Sequence, residues 1–565
     1  MKARRLLVLT LAAGCAGPDP NPDRGVGPLT PLPPIFSDIS DDAGIHFTHV
    51  NDASPRRLLP ETMGSGAAFF DYDGDGRPDL YLVNGAPLVS DRSQAAPGAL
   101  YHNLDGRHFA DVTRAAGLIE PFYGMGVAVG DVNNDGHLDL FVSGVGASRL
   151  YLNRGDGTFA DATRAWHLDD PGFATSAAFL DYDRDGRLDL YVAHYVSWSA
   201  GKDVACAPDG THRSYCTPEV YRGESGRLYR NLGGAGFADV TAKCGLATPE
   251  SKTLGVAVLD IDHDGWPDLA LANDTTPNLL YVNNHDGTFA EVGVAARFAY
   301  SESGATRGGM GIDAADADGD GNDDLLVTNF AQEMVGFYRG LGKLSFADEA
   351  APSGLGLPTL MPLGFGALFV DVDSDGLPDV VLANGHIEPD IKLRQPQQSY
   401  AQKPQLFRNL GAGRFEPVAD QAGSALHNPL VGRGLAAADI DGDGDLDLVI
   451  TQNGGTARLL RNDSPPRQWL RVRLQGTKSN RTGYGATVKV VAGTRSWTRT
   501  LASGRSYLSA CEPVLTFGLG DVDRIDRLEI SWPWLGGGVQ TVADPPQRQL
   551  LEIVEPGPAL ESSTP

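Results

Sequence analysis

FFDYDGDGRPDLYLVNG (69–85) places four aspartates, Asp71, Asp73, Asp75 and Asp79, within nine residues and then runs straight into an apolar stretch. Like charges at that density repel one another unless a cation sits among them. Oxygen ligands at positions 1, 3 and 5, a glycine at position 6 and one further carboxylate are the pattern of a calcium loop, whereas zinc and copper favour His and Cys. An EF-hand would carry Glu at position 12 between two helices. Here that position is Leu82, and the flanks AAFF and LYLV have strand composition. The stretch reads as a nine-residue calcium loop between two strands, with a metal-free acidic turn as the alternative for a single copy.

The chain does not hold a single copy. The nonapeptide recurs six more times, at Asp131, Asn133, Asp135 and Asp139; Asp181, Asp183, Asp185 and Asp189; Asp260, Asp262, Asp264 and Asp268; Asp316, Asp318, Asp320 and Asp324; Asp371, Asp373, Asp375 and Asp379; and Asp439, Asp441, Asp443 and Asp447. Position 6 is Gly every time. Repetition this regular weighs against the metal-free reading and predicts up to seven calcium ions. Six loops of four aspartates and one of three make 27 carboxylates, which leaves 45 of the 72 acidic residues elsewhere against 46 Lys plus Arg. The formal charge of −26 is therefore the mark of metal loops; it signals neither a disordered acidic tail nor a nucleic-acid partner, which would need a basic surface.

A second motif alternates with the first: an apolar or aromatic pair, Asn, a glycine turn, then Phe-x-acid, as in LYHNLDGRHFADVT (100–113) and LYLNRGDGTFADAT (150–163). Each reads as a β-hairpin. With a small-residue strand such as GMGVAVG (124–130) before each acidic loop, every repeat supplies four short strands, the unit of a β-propeller. The seventh repeat ends at LLRND (459–463) without its Phe-x-Asp strand, while an unpaired FSDIS (36–40) precedes the first loop. The N-terminal strand is expected to complete the last blade, which leaves no open sheet edge. The fold class is all-β: a seven-bladed propeller over 36–463 and a small β domain over 464–556, where Leu470, Val472, Leu474, Val488, Val490, Leu528 and Ile530 alternate as in strands.

The DxDGDGxxDL loops resemble the FG-GAP repeats of integrin α-chain propellers. WLRVRLQGTKSNRTGYGATVKV (469–490), SYLSACEPVLTFGLG (506–520) and IDRLEISWP (525–533) resemble an ASPIC/UnbV domain, and nearly everything after residue 35 is similar to bacterial members of the cartilage acidic protein family. The departures are Cys511 and the lengthened turn WLGGG (534–538). The resemblance implies the fold and no defined activity.

The first 15 residues, MKARRLLVLTLAAGC, have the basic start, short apolar run and small residues of a secretion signal. LAAGC further resembles a lipoprotein box, so lipidation of Cys15 is expected in preference to plain cleavage, and it would be the only tie to a membrane. Residues 16–35 form a Pro-rich tether, and 557–565 a disordered tail. An exported chain, secreted or held at the cell envelope, meets calcium and an oxidising compartment. Cys206 and Cys216, ten apart in one insertion, are the expected disulfide, while Cys244 and Cys511 are read as free thiols rather than an inter-domain bridge.

The long insertions, 84–99, 194–223, 297–309 and 384–405, all fall on connections opposite the acidic loops. On that face His194, Tyr195, Trp198, Tyr215, Tyr221, Tyr400, His386 and Glu388 are the candidate contacts for a protein or glycan, unless the loops merely cover the channel mouth and pack on one another. The function expected is a secreted calcium-stabilised binding or adhesion module. The alternative is a carbohydrate-active lyase or hydrolase. The sequence contains neither GxSxG nor HExxH, so no enzyme is expected.

Overall fold

The computed structural model describes residues 35–88, 95–207, 210–534 and 538–557; the expected signal, Cys15 and nearly all of the tether and tail lie outside these residues. Up to residue 463 the described residues form seven antiparallel four-stranded sheets, six of them running in chain order from an inner strand outward. The first consists of Ala67–Phe70, Asp79–Leu82, Ala99–Asn103 and Phe109–Asp111. Inner strands such as Gly124–Gly130 and Gly432–Ala438 are rich in Gly and Ala and are buried throughout, as their crowded central position requires. They abut in sequence, and the seventh returns to the first, so the sheets close a propeller.

The last sheet takes its outer strand from the start of the chain. Phe36–Asp38 pairs with Arg458–Asn462 in the register Phe36↔Asn462 and Asp38↔Leu460. Phe36 is fully buried and its N–H donates to Ala422 O at 2.7 Å, which locks the closure from a second side.

After residue 463 the chain builds two further sheets. In one, Gln468–Gln475 lies between antiparallel Leu515–Gly520 and parallel Leu550–Val554; in the other, Thr487–Ala492 and Arg527–Ser531 form the centre of four strands. The inward sides of these strands, Leu470, Val472, Val488, Val490, Leu528 and Ile530, join Phe179 and Leu188 of the propeller in one apolar cluster. Among the described residues no helix is long and apolar enough to cross a membrane.

Between the strands of this C-terminal domain, residues 503–512 run into the propeller axis and touch the inner strand of every sheet. Ser509 Oγ accepts from Ala67 N–H, Leu508 O from Val127 N–H, and Gly504 O from Val258 N–H. Leu508 N–H donates to Ser176 Oγ, Ser506 pairs with Ile312, Arg505 donates to Phe369 O, and Cys511 Sγ accepts from Ala437 N–H. Arg505 also forms a two-pronged ion pair with Asp313, at 2.6 and 3.0 Å. The approach is so close that a Cβ on Gly66 would sit 1.6 Å from Leu508 O.

Candidate metal centres

Each acidic loop joins an inner strand to the second strand of its sheet, and its backbone is shaped by its own carboxylates. In the first loop Asp71 Oδ1 accepts from Gly74 and Asp75 N–H, Oδ2 accepts from Gly76 N–H, and Asp75 accepts from Arg77 N–H. Gly76 has φ 92°, a conformation costly for any residue with a Cβ, which explains the invariant sixth position.

The ninth-position aspartates are buried. Asp139 accepts from Val132 N–H at 2.9 Å and from Asn153 N–H at 2.8 Å, tying loop to second and third strands, and the same pair of bonds recurs at Asp79, Asp189, Asp268, Asp324, Asp379 and Asp447. This residue is a clasp as well as a ligand candidate. Carboxylate oxygens of positions 1, 3 and 9 come within 4.8 Å of one another in the first, third and fourth loops, and those of positions 1, 3 and 5 do so in the fifth.

Two observations indicate that these residues fit a cation. Both oxygens of Asp373 and one of Asp183 are buried with no hydrogen-bond donor, an arrangement that costs free energy unless a positive ion meets them. Burial also pushes the carboxyls of Asp139, Asp268 and Asp324 up to about 8, and those of Asp181 and Asp439 up to about 7, against the partial relief of backbone N–H groups. A bound divalent cation would favour their ionised forms. Oxygen-only donors suit a hard cation such as calcium.

The asparagine of the hairpin motif has a role its sequence position conceals. Asn153 Nδ2 donates to Leu138 O in its own sheet and to Tyr72 O in the preceding one, at 3.2 and 2.7 Å, while its Oδ1 accepts from Gly155 N–H. Asn103, Asn231, Asn283, Asn409 and Asn462 repeat the bond to the preceding loop, including Asn103 to Ile440 O across the closure. The fifth repeat has Gly340 instead. Six of the seven junctions are thus stapled beside the acidic loops.

The C-terminal domain sits on this same face. Arg471 lies 3.0 Å from Asp439 and also pairs with buried Glu512; Arg473 lies 3.7 Å from Asp71 and Arg467 3.6 Å from Asp373. Arg481 N–H donates to Asn134 of the second loop.

The opposite face corrects the expected contact residues. Tyr195, Tyr221, His386 and Glu388 are buried. Tyr195 donates to Asp274 at 2.5 Å, Tyr221 to Asp203, and Glu388 accepts from Arg394 at 2.9 Å and from Ser214 of the disulfide-bearing insertion. His194 and Tyr215 are buried as well; only Trp198 and Tyr400 keep partial exposure. The insertions cover the channel mouth: Tyr195, Cys216, Tyr221, Met63 and Phe365 pack around Tyr507 at the tip of the axial segment, and Tyr507 donates to Met63 O. Aromatic side chains in long loops read as surface contacts in sequence, but here they are the core of a cap. Cys206 and Cys216 form a disulfide, and Cys244 and Cys511 are free.

Residues 71–142, 131–192, 260–327 and 371–450 match the FG-GAP-like repeat, and residues 476–559 match the ASPIC and UnbV family. The chain is a β-propeller of FG-GAP-like repeats with a C-terminal ASPIC/UnbV domain. It is homologous at modest identity to cartilage acidic protein 1, being 27% identical to the Mus musculus protein over 386 residues, 64% of this chain and 56% of that one. It thus spans little more than half of the curated relatives it matches. A segment covering 16% of the chain is 37% identical to 9% of Homo sapiens integrin alpha-7. The BP39L lectin from Burkholderia pseudomallei superposes with a TM-score of 0.40 at 10% identity, over 72% of this chain and 99% of that one.

Proposed function

We propose that the protein is an exported, calcium-braced propeller that serves as a non-catalytic binding or adhesion module for an extracellular protein or glycan, with up to seven ions in the acidic loops. The observation that carries the binding role is where apolar side chains meet solvent. Leu357 and Leu393, 78% and 85% exposed, are the most exposed large apolar side chains among the described residues, and both lie on connections opposite the acidic loops; Leu104, Leu232, Leu341 and Leu410, on hairpin tips of the other face, are 42–48% exposed. Leucines this open to water on the insertion-bearing face favour docking there. The repeats shared with integrin alpha-7 support the same reading. Export is supported by MKARRLLVLTLAAGC and by the disulfide, with Cys15 as the point of lipid anchoring.

The test pairs Leu357→Asp with Leu393→Asp, and separately Trp198→Ala with Tyr400→Ala, in capture from extracellular protein and on a glycan array. Capture should fall while the melting temperature holds; capture unchanged in both pairs would remove this face from the function. The enzyme reading has one observation in its favour. Asp274 is buried against the Tyr195 hydroxyl, with its carboxyl pushed up to about 7 by burial. Turnover of any glycan that Asp274→Asn abolishes would replace the binding reading with a hydrolase or lyase.

A further inference from the structure

In four repeats an arginine near the end of the third strand meets the third position of its own acidic loop. Arg230 lies 2.6 Å from Asp183 and Arg339 3.6 Å from Asp318, while the charges of Arg408 and Arg461 act on Asp373 and Asp441. At the corresponding place the second and fourth repeats carry apolar residues, Leu152 before Asn153 and Val282 before Asn283, although the third position is the neutral Asn133 in one and Asp262 in the other.

The first repeat has neither an arginine nor an apolar residue there. His102 occupies the position, with Nδ1 3.4 Å from Asp73 and 3.0 Å from Asp79, and that ring comes with oxygens of Asp73 and Asp75 into one cluster whose atoms lie within 4.8 Å of one another. The ring packs edge-on against Tyr72, centroids 5.9 Å apart, so its nitrogen is aimed by packing. His102 and Asp73 are 21% and 25% exposed at their side chains, open enough for an ion to reach. Arg77, 45% exposed at its side chain, pairs with Asp75 at 2.7 Å and donates to Asn103 O, so an ion would compete with it for Asp75.

A guanidinium has no lone pair to give and can only compete with a cation for the carboxylates, whereas a neutral imidazole is a metal ligand. Adding nitrogen to an oxygen set shifts preference from calcium toward first-row transition ions. We propose that the first loop is a mixed aspartate–histidine site for a divalent transition cation, held by Asp73, Asp75 and His102 Nδ1 and set apart from the oxygen-only loops. This rests on reading the repeats as metal loops, but not on calcium being their ion.

The experiment titrates the full chain with Co²⁺ in millimolar calcium and follows the visible spectrum. One equivalent should bind with the absorption of nitrogen coordination. That signal should vanish in His102→Gln, which keeps a donor to Asp79 but has no ring nitrogen, and in His102→Leu, the apolar type found in the second repeat. His285→Ala, at the histidine beside Asp264 of the fourth loop, should leave it intact. Absence of calcium-resistant Co²⁺ binding, or its persistence in His102→Gln at unchanged melting temperature, would overturn the proposal and leave His102 as a hydrogen-bond partner of Asp79. Should the chain bind no calcium yet take Co²⁺ through His102, the calcium-braced function falls and this site stands.

Discussion

Replacing Asn153 by alanine deletes three hydrogen bonds at once: two donated to Leu138 and Tyr72 carbonyls and one accepted from Gly155 N–H. The side chain is 2% exposed, so the two carbonyls lose their partner where water does not readily replace it. At about 0.5–1.5 kcal/mol net per bond, with the upper half of that range appropriate to buried acceptors, the loss is about 3 kcal/mol. Against a typical net stability of about 5–15 kcal/mol this is a large fraction. Urea unfolding in saturating calcium, followed by intrinsic fluorescence, measures it. The control is Asn284→Ala, an exposed asparagine bonded to Thr288, expected to cost under about 0.5 kcal/mol. If Asn153→Ala costs no more than Asn284→Ala, the staples are incidental to the ring. Gly340→Asn is not expected to add the missing staple, because its Cβ would lie 2.5 Å from Asp323 O.

In chelator, the melting temperature should fall as pH rises. The carboxyls of Asp139, Asp268 and Asp324 stand at about 8 when folded against 3.8 unfolded, so their contribution is complete below pH 3.8 and lost as pH climbs through about 8. Excess calcium, which binds the ionised form, should cancel the fall; a flat profile in chelator would contradict the burial argument. Gly66→Val should push Leu508 off the axis and open the 505–506 bond to trypsin, while the parent chain should resist cleavage there; equal resistance in both would show that the segment accommodates the side chain.

The acidic loops were legible because their spacing is local: a carboxylate every second residue and a glycine where φ must be positive need no tertiary information. Closure by Phe36 was legible for a related reason, since a repeat lacking its last strand and a strand lacking its repeat complement each other. Asn153 was not, because Asn before a glycine turn is already explained by the turn, while its decisive partner, Tyr72 O, lies 81 residues away. By its sequence 503–512 belongs to a small separate domain, since nothing in SGRSYLSACE announces a partner 442 residues back. Tyr195 and Tyr221 show a third limit: an aromatic residue in a long insertion has the same sequence signature whether it faces solvent or a neighbouring loop.

Tandem repeats ordinarily gain and lose copies with ease, since each unit contacts only its neighbours and terminal units tolerate change. Here a single stretch of ten residues touches the inner strand of all seven sheets. An eighth repeat would widen the bore and leave that stretch without half its partners; a sixth would narrow it until the backbone no longer passed beside Gly66. Copy number is therefore set from within the chain, by the girth of its own tail, and duplication or loss of a repeat is closed to this architecture unless residues 503–512 change in the same step.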